Sequence, residues 1–300
     1  MPKFSFILTA RNEAPEVVQR TIDGLAASAR AVDFEIVLID DGSERPIEPY
    51  GGARLTRNPE PTGVSRARRQ GAELATGEAL IWMDAHMTFD ANWLERMAEH
   101  FARDVYLCSG FWSYDRTQSH GYGADFEWSG TRDYAAGRHP GLGLKHRCAY
   151  PGDGAVEVPM VIGACYMIHR DTYARLGGLS PLFRVWGADE QDFSARAWLA
   201  GVPVKCVTGA RVGHMWRPSF PYPVQYEHVE FNQLAMLRTV FEEATIAAFE
   251  PWFEPIPEAT RAWLDSADVA GWRAIVQAAR RVSDREFLQR FLPNAPRPRF

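Results

Sequence analysis

The chain has 300 residues, 46% of them hydrophobic, and its 33 basic and 38 acidic residues leave a net charge of −5. This length and composition predict one large domain with a substantial core, or a core with a small appendage. The acidic balance excludes a basic field of the kind that binds nucleic acid, so we expect no nucleic-acid partner.

The cysteines and the amino terminus predict the compartment. The four cysteines are widely spaced and contain no C-x-x-C pair, which argues against a disulfide framework and against a cysteine zinc site. The amino terminus enters a strand-like pattern directly, without the apolar region and cleavage site of a signal peptide. No run approaches the roughly 18 consecutive apolar residues that a spanning helix needs, so we expect no membrane span and a reduced, cytoplasmic protein.

The first hundred residues alternate between strand and helix patterns, apart from an irregular stretch rich in Pro and Gly before residue 63. Strands that alternate with helices are typical of βαβ units and a mostly parallel sheet. The predicted elements are a strand at Phe4–Ala10, a helix from Pro15 to about Ala29, a strand at Phe34–Ile39, a helix at Gly63–Ala75 and a buried strand at Ala79–Met83. The second strand is expected to stop at the polar segment Asp40–Ser43.

Regular patterns are lost between Gly110 and Pro159, and a loop-rich segment this long inside a compact domain is usually functional or mobile. Order returns in a second series of elements. These are a strand at Val161–Ile168, a short helix with Asp171 as N-cap and Gly177-Gly178 at its end, a helix at Asp189–Ala200, strand-like segments at Val202–Val207 and Ala210–Gly213, and, after a Pro-rich joint at Pro218–Pro223, helical patterns over Tyr226–Leu292.

These elements predict an α/β fold with a mostly parallel sheet flanked by helices. We expect a first domain at residues 1–217, in which 110–159 is an irregular insert. A helical extension at residues 218–300 is expected to pack on this core rather than to form an independent domain.

The strand that begins after Gly77 ends in Asp-x-His. Residues two apart on a strand point to the same side, so Asp84 and His86 can present a carboxylate and an imidazole to one point at the carboxyl end of the sheet. His214, which also follows an apolar strand, is the best candidate for a third ligand. One carboxylate with two imidazoles favours Mn²⁺, with Mg²⁺ as an alternative. For either histidine taken alone, capping of a strand end is the simpler interpretation.

Three carboxylates, Asp189, Glu190 and Asp192, lie in the first turn of a predicted helix and are the candidate catalytic groups. Carboxylates at this position also compensate the helix dipole, which is their structural alternative. Asp189 and Asp192 share a helical face, whereas Glu190 points about 100° away from Asp189. At most two of the three are therefore expected to address one ligand.

Polar loops follow the first two strands, at Thr9–Glu13 and at Asp40–Ser43. Adjacent parallel strands that end in this way form a crevice suited to a nucleotide, although Asp-Gly-Ser is also a common turn. The basic cluster Arg66–Arg69 suits either a diphosphate or a solvated helix face.

Together these motifs resemble those of the GT-A nucleotide-sugar glycosyltransferases. The general pattern is similar to glycosyltransferase family 2. The Asp-x-His, the Trp-Gly followed by acidic residues and the late Val-Gly-His-x-x-Arg resemble the polypeptide N-acetylgalactosaminyltransferases. The resemblance covers roughly residues 3–217 and depends on the order and spacing of Thr9–Glu13, Asp40–Ser43, Gly63–Arg68, Asp84–His86, Gly177-Gly178, Trp186–Arg196 and Val212–His214.

The resemblance implies a GT-A fold in which Asp84, His86 and His214 hold Mn²⁺ at the donor diphosphate. Trp186 and Arg217 would approach the donor, and Asp189 matches the first acidic residue after Trp-Gly. Glu190 matches the general base of inverting family 2 enzymes. The residues that the resemblance places at the uridine and ribose are Thr9, Arg11, Glu13, Asp40 and Arg66.

Two departures limit the resemblance. The Glu-Asn of the animal enzymes is Asp189-Glu190 here, and we expect neither their membrane anchor nor their carbohydrate-binding domain. A peptide acceptor and N-acetylgalactosamine as donor sugar are therefore not implied.

We therefore expect a metal-dependent transferase that moves a sugar from a nucleoside diphosphate, UDP above all, to the hydroxyl of a glycan, small molecule or peptide. The aromatic-rich insert and the helical tail are expected to frame the acceptor site. An inverting route would use Glu190 as base, and a retaining route, which the resemblance favours, would leave Asp189 to orient the donor. One alternative is a sugar-phosphate nucleotidyltransferase, which would be expected to have a Gly-rich phosphate loop near its amino terminus, whereas Thr9–Pro15 contains no glycine. The other is a non-catalytic nucleotide-sugar binding module.

Overall fold

The computed structural model describes residues 3–29, 32–48, 50–217 and 219–298. Residues 1–2, Pro218 of the predicted joint and residues 299–300, which belong to the two predicted domains, lie outside these residues. The strands are β1 (Phe4–Ala10), β2 (Phe34–Asp41), β3 (Ala53–Asn58), β4 (Ala79–Asp84), β5 (Met87–Phe89), β6 (Tyr106–Ser113), β7 (Ser119–Gly121), β8 (Ala124–Ser129), β9 (Gly141–His146), β10 (Ala155–Glu157), β11 (Cys165–His169) and β12 (Val204–His214).

The helices lie between and after these strands. They are α1 (Pro15–Ser28), α2 (Val64–Leu74), α3 (Trp93–Ala98), α4 (Arg170–Arg175), α5 (Asp189–Leu199), α6 (Tyr226–Val240), α7 (Glu243–Phe249), α8 (Glu258–Leu264), α9 (Ala267–Ala278) and α10 (Asp284–Phe291).

The main sheet has the strand order β10-β12-β6-β11-β4-β1-β2-β3. The four strands β4, β1, β2 and β3 run parallel, and β12 runs parallel to β6, while β11 and β10 are antiparallel to their neighbours. The predicted α/β fold with a mostly parallel sheet and flanking helices is confirmed. Its register places Thr9 opposite Asp84 and Ala10 opposite Asp40, so the loops after β1, β2 and β4 meet at one edge.

Two stretches are more regular than the sequence predicts. Strand β3 lies in the stretch expected to be irregular, and the predicted insert at 110–159 contains the β8–β9 hairpin together with β7 and β10. The reason for the first error is that β3, Ala-Arg-Leu-Thr-Arg-Asn, pairs only with β2 along the described sheet and is largely polar. An edge strand needs no continuous apolar run.

Several predicted boundaries differ from those of the structure. Strand β11 begins at Cys165 rather than Val161, and the N-cap of α4 is His169, whose side chain accepts a hydrogen bond from the backbone N–H of Asp171. The two strand-like segments at 202–207 and 210–213 form one strand, β12, interrupted by a bulge between Val207 and Arg211. A bulge bends a strand without ending it, which explains why the pattern looks divided.

The carboxyl-terminal helices pack on the core. Helix α6 contacts α5 and the β8–β9 hairpin through β9, and α9 packs on α6. Asn232 of α6 is fully buried and bonds the backbone that leads to α5. Across the described chain, no helix combines the length and the apolar character that crossing a bilayer requires.

Candidate active site

Asp84, His86 and His214 converge at the carboxyl end of the parallel strands. Their ligand atoms all lie within 4.8 Å of one another. Nε2 of His214 is 3.1 Å from Oδ2 of Asp84 and 3.1 Å from Nε2 of His86. The structure thus brings together the three residues predicted as metal ligands, which lie up to 130 positions apart in the sequence. One carboxylate oxygen and two imidazole nitrogens around one point form a donor set that fits Mn²⁺.

The convergence depends on a turn rather than on strand alternation. Strand β4 ends at Asp84, so His86 lies in the bend that follows it. The hydroxyl of Thr21 on α1 fixes this bend, because it accepts from the N–H of Met87 and donates to the carbonyl of Ala85, both at 2.9 Å. Strand β5 then pairs antiparallel with β12 and sets His214 opposite Met87. The β5–β12 pairing therefore delivers the distant third ligand.

A buried carboxylate orients one of the imidazoles. Oε1 of Glu13 lies 3.1 Å from Nδ1 of His86, and Arg217 donates to both oxygens of Glu13 at 2.9 and 2.5 Å. A carboxylate on the far nitrogen fixes the tautomer of a ligating histidine and directs its other nitrogen to the metal. Glu13, predicted as a donor contact, thus contacts the candidate metal ligand His86, and Arg217 holds Glu13 in place.

Burial and charge act in opposite directions on Asp84. Burial alone would raise its pKa, but the hydrogen bond with His214 and the positive charge of Arg68 hold that pKa well below its usual range. The carboxylate therefore stays ionised, as a metal ligand must be.

Arg68 is a residue of this site that the sequence analysis named only as part of the basic cluster Arg66–Arg69. Its side chain is only 5% exposed, and its guanidinium contacts Asp84, Asp189 and Glu190. The signal was present in the helix pattern, because Arg68 falls on the buried face of α2 with Ala67, Gly71 and Ala72. An arginine on an apolar face has to find buried partners.

The three candidate catalytic carboxylates separate into two groups. Asp189 and Glu190 both pair with Arg68, whereas Asp192 pairs with Arg196 in the buried interior of α5. Arg68 therefore contacts two of the three carboxylates. They are not the two that share a helical face, Asp189 and Asp192, because Arg68 lies beside the start of α5 and contacts Asp189 and Glu190.

Asp84, His86 and His214 lie at a cavity of about 490 Å³. The site residues predicted from the sequence that line it are Thr9, Arg11, Glu13, Asp84, His86, Trp186, Glu190, His214 and Arg217. The guanidinium of Arg11 lies over the ring of Tyr222, and the Trp186 ring packs against Phe220. Thr9, Arg11 and Trp186 thus line the cavity into which a molecule bound to the metal would extend.

Asp40 and Arg66 are placed differently from the prediction. Asp40 is fully buried and accepts hydrogen bonds from the backbone of Ser43 and Ile47 and from Arg57. The Arg66 side chain extends outward and donates to the carbonyl of Pro181. The neighbouring Asp41 lines the cavity instead and holds the turn before α2 through the N–H groups of Thr62 and Gly63.

The outer wall of the cavity is apolar and comes from the two regions expected to frame an acceptor. The insert at 110–159 contributes Phe111, Leu144 and His146, and α6 contributes Tyr226. Leu144 and Trp216 are both more than two-fifths exposed at this rim.

Family comparisons cover most of the part of the chain that builds this site. Residues 5–151 match the family described as glycosyl transferase family 2, and residues 146–218 match the N-terminal domain of galactosyltransferase. Polypeptide N-acetylgalactosaminyltransferase 10 of Homo sapiens is 28% identical over 75% of this chain and 39% of its own length. Polypeptide N-acetylgalactosaminyltransferase 3 of Drosophila melanogaster is 29% identical over 80% of this chain and 39% of its own length. The chain spans about two fifths of the length of these curated relatives.

Solved structures share the fold at low identity. A crystal structure of GalNAc-T7 with UDP, GalNAc and Mn²⁺ superposes with a TM-score of 0.75 at 20% identity, over 98% of this chain and 57% of that one. Staphylococcus aureus TarS 1–349 in complex with UDP-GlcNAc gives a TM-score of 0.54 at 13% identity, over 92% of this chain and 91% of that one. Residues 5–151 are therefore similar to glycosyl transferase family 2 and residues 146–218 to the N-terminal domain of galactosyltransferase, on a GT-A-like fold shared with the GalNAc-T7 structure.

Proposed function

We propose that this protein is a metal-dependent glycosyltransferase that transfers a sugar from a nucleoside-diphosphate donor, a UDP-sugar, to an acceptor hydroxyl. The observation that carries the proposal is the convergence of Asp84, His86 and His214 at a cavity lined by Thr9, Arg11 and Trp186. The similarity to polypeptide N-acetylgalactosaminyltransferases and the UDP and Mn²⁺ named for the GalNAc-T7 structure support it.

We assign a separate role to each group of residues in the site. Asp84, His86 and His214 would hold Mn²⁺, which when bound supplies Lewis-acid stabilisation of the leaving diphosphate. Glu13 orients His86, and the hydrogen bonds with His86 and Arg217 hold the pKa of Glu13 below its usual value despite its burial. Arg11 and Trp186 offer a cation and an aromatic face to the donor.

Glu190 is the acidic-cluster carboxylate that reaches the cavity. We propose a retaining route, which the likeness to the Asp-x-His enzymes favours, with Glu190 and Asp189 ordering the donor side through Arg68. The anomeric configuration of the product, read by NMR, tests this step. Inversion would assign Glu190 as the general base, since the burial that raises its pKa to about 7 suits a base near neutral pH.

The acceptor is expected at the apolar rim formed by Leu144, Trp216 and Phe220. A peptide, a glycan and a small molecule all stay possible acceptors, and a cytoplasmic location stays a prediction. A panel of UDP- and GDP-sugars screened by thermal shift with Mn²⁺ identifies the donor, because a ligand that binds the native state raises the melting temperature by mass action.

The metal assignment is tested by release of nucleoside diphosphate from the best donor, with and without Mn²⁺. We expect Asp84→Ala and His214→Ala each to lower turnover by about 100-fold or more. The exposed His100, at the end of α3, provides the matched control His100→Ala, which should retain full turnover. Full turnover in the two ligand variants would refute the metal site. A protein that binds a donor with Mn²⁺ yet never cleaves or transfers it would instead be a binding module.

A further inference from the structure

The guanidinium of Arg68 lies behind the metal ligands and joins them to the acidic end of α5. Its Nη2 donates to Oδ1 of Asp84 at 3.1 Å and to the carbonyl of Gly163 at 2.9 Å. Its Nη1 donates to Oδ2 of Asp189 at 2.6 Å and to Oε1 of Glu190 at 3.0 Å. The two nitrogens of one planar group therefore serve two different parts of the site.

The first contact fixes the orientation of the carboxylate of Asp84. Because Oδ1 is held by Arg68, Oδ2 is the oxygen that faces Nε2 of His214. The carboxylate is thereby presented through a single oxygen, with its second oxygen occupied. An outer partner of this kind orients a ligand before the metal arrives.

The second contact fixes Glu190 at the cavity. Asp189 is nearly inaccessible to solvent and anchors Nη1, while Glu190 lines the cavity on the other side of the same nitrogen. A lysine could not reproduce this arrangement, since its single ammonium lacks the planar fork that binds two directions at once.

We propose that Arg68 is a positioning residue that sets the metal ligand Asp84 and the cavity carboxylate Glu190 with one guanidinium, so that cation affinity and the geometry of Glu190 are coupled. The proposal rests on the proposed function for its meaning in catalysis. Its first test, however, is the binding of Mn²⁺ alone, which needs no donor and no turnover.

The test is Arg68→Lys, which keeps the buried charge, with Arg69→Lys on the same helix as the matched control. Arg69 donates to the carbonyls of Gly177 and Leu179, away from the metal ligands. Mn²⁺ affinity is measured from the electron paramagnetic resonance signal of the free ion, and folding from the melting temperature. We expect Arg68→Lys to weaken Mn²⁺ binding by about 10- to 100-fold in folded protein, and Arg69→Lys to leave it unchanged.

Coupling is measured with Glu190→Gln. If Arg68 positions Glu190, the loss of donor turnover caused by Glu190→Gln should be several-fold smaller in the Arg68→Lys background than in the wild type. Independent losses in the two backgrounds would overturn the coupling. A wild-type protein without turnover would instead contradict the proposed function. The effect of Arg68 on Asp84 would then be tested by the Mn²⁺ affinity of Arg68→Lys alone.

A second variant covers the case in which Arg68→Lys does not fold. Arg68→Met combined with Asp189→Asn and Glu190→Gln removes the guanidinium without leaving its two α5 carboxylates charged and unpaired. We again expect Mn²⁺ binding to weaken by about 10- to 100-fold. Wild-type affinity in either folded variant would overturn the proposal. Loss of folding in both would also overturn it, because it would assign Arg68 to the stability of the fold.

Discussion

At the residue scale, two buried carboxylates of the same site have opposite protonation behaviour, because their charged neighbours differ. Asp84 stays ionised because His214 and Arg68 outweigh the effect of burial on its pKa. Glu190 has its pKa raised to about 7, since burial and the charge of Asp189 outweigh its contact with Arg68. Two carboxylates with separated pKa values are a recurrent feature of enzyme active sites.

Glu190 should make the metal-free protein less stable as the pH rises. Its pKa in the fold, about 7, lies above its ordinary value of 4.5, so the fold binds this proton more tightly than the unfolded chain. Its contribution to stability is full below pH 4.5 and is lost as the pH rises through 7. Since Glu190→Gln does not titrate, we expect the variant to gain about 3 kcal/mol relative to the wild type between pH 4.5 and 8.

The measurement is urea denaturation of both proteins in chelator at pH 5 and at pH 8. Taking the difference between variant and wild type removes the titration of the groups that do not interact with Glu190. Stability curves that run parallel across this range would show that Glu190 titrates normally in the fold.

At the element scale, predictability follows burial. Helices α1, α2 and α5 and strands β1, β2 and β4 follow from apolar runs and from Pro and Gly at their ends. Strand β3 and the β8–β9 hairpin do not, because their side chains are partly exposed and form no continuous apolar run. The candidate metal ligands could be predicted because they lie at the ends of strands. That Arg68 rather than Arg66 lies in the site depends on which face of α2 is buried.

The packing of α2 on β1 is tight enough for a good helix former to be unfavourable. A Cβ added at Gly71 would lie 2.3 Å from Cγ2 of the buried Ile7. Gly71→Ala should gain about 1 kcal/mol of helix propensity and lose about 1–3 kcal/mol to overpacking. We therefore expect a net loss of stability, measured as a lower urea midpoint.

Gly271 in α9 is the matched control for that change. It is also inside a helix, but a Cβ there would meet no atom of the described residues within 4 Å. We expect Gly271→Ala to raise stability by about 0.5–1 kcal/mol. Equal effects at the two glycines would show that α2 can move away from β1 at little cost.

At the scale of the whole molecule, the carboxyl-terminal helices belong to the same structure as the site. Asn232 of α6 accepts from the N–H of Arg184 at 2.7 Å, and its amide donates to the carbonyls of Arg184, Trp186 and Gly187 at 2.8 to 3.2 Å. Trp186 lines the cavity, and Gly187 leads to the acidic start of α5. The helical tail thus holds the loop that shapes the donor side, a contact across 45 to 48 positions that no local pattern predicts.

Loss of this anchor should affect donor binding more than metal binding. Asn232→Ala leaves buried backbone groups without partners, at about 1–3 kcal/mol each, and should lower both the melting temperature and donor affinity while Mn²⁺ affinity is kept. Gln277→Ala is the matched control, because that amide donates to the carbonyls of Thr239 and Val240 within the tail. It should lower the melting temperature but leave donor affinity unchanged, as measured by calorimetric titration of the donor with Mn²⁺. Donor affinity that survives Asn232→Ala would show that the Trp186 loop holds its shape without the tail.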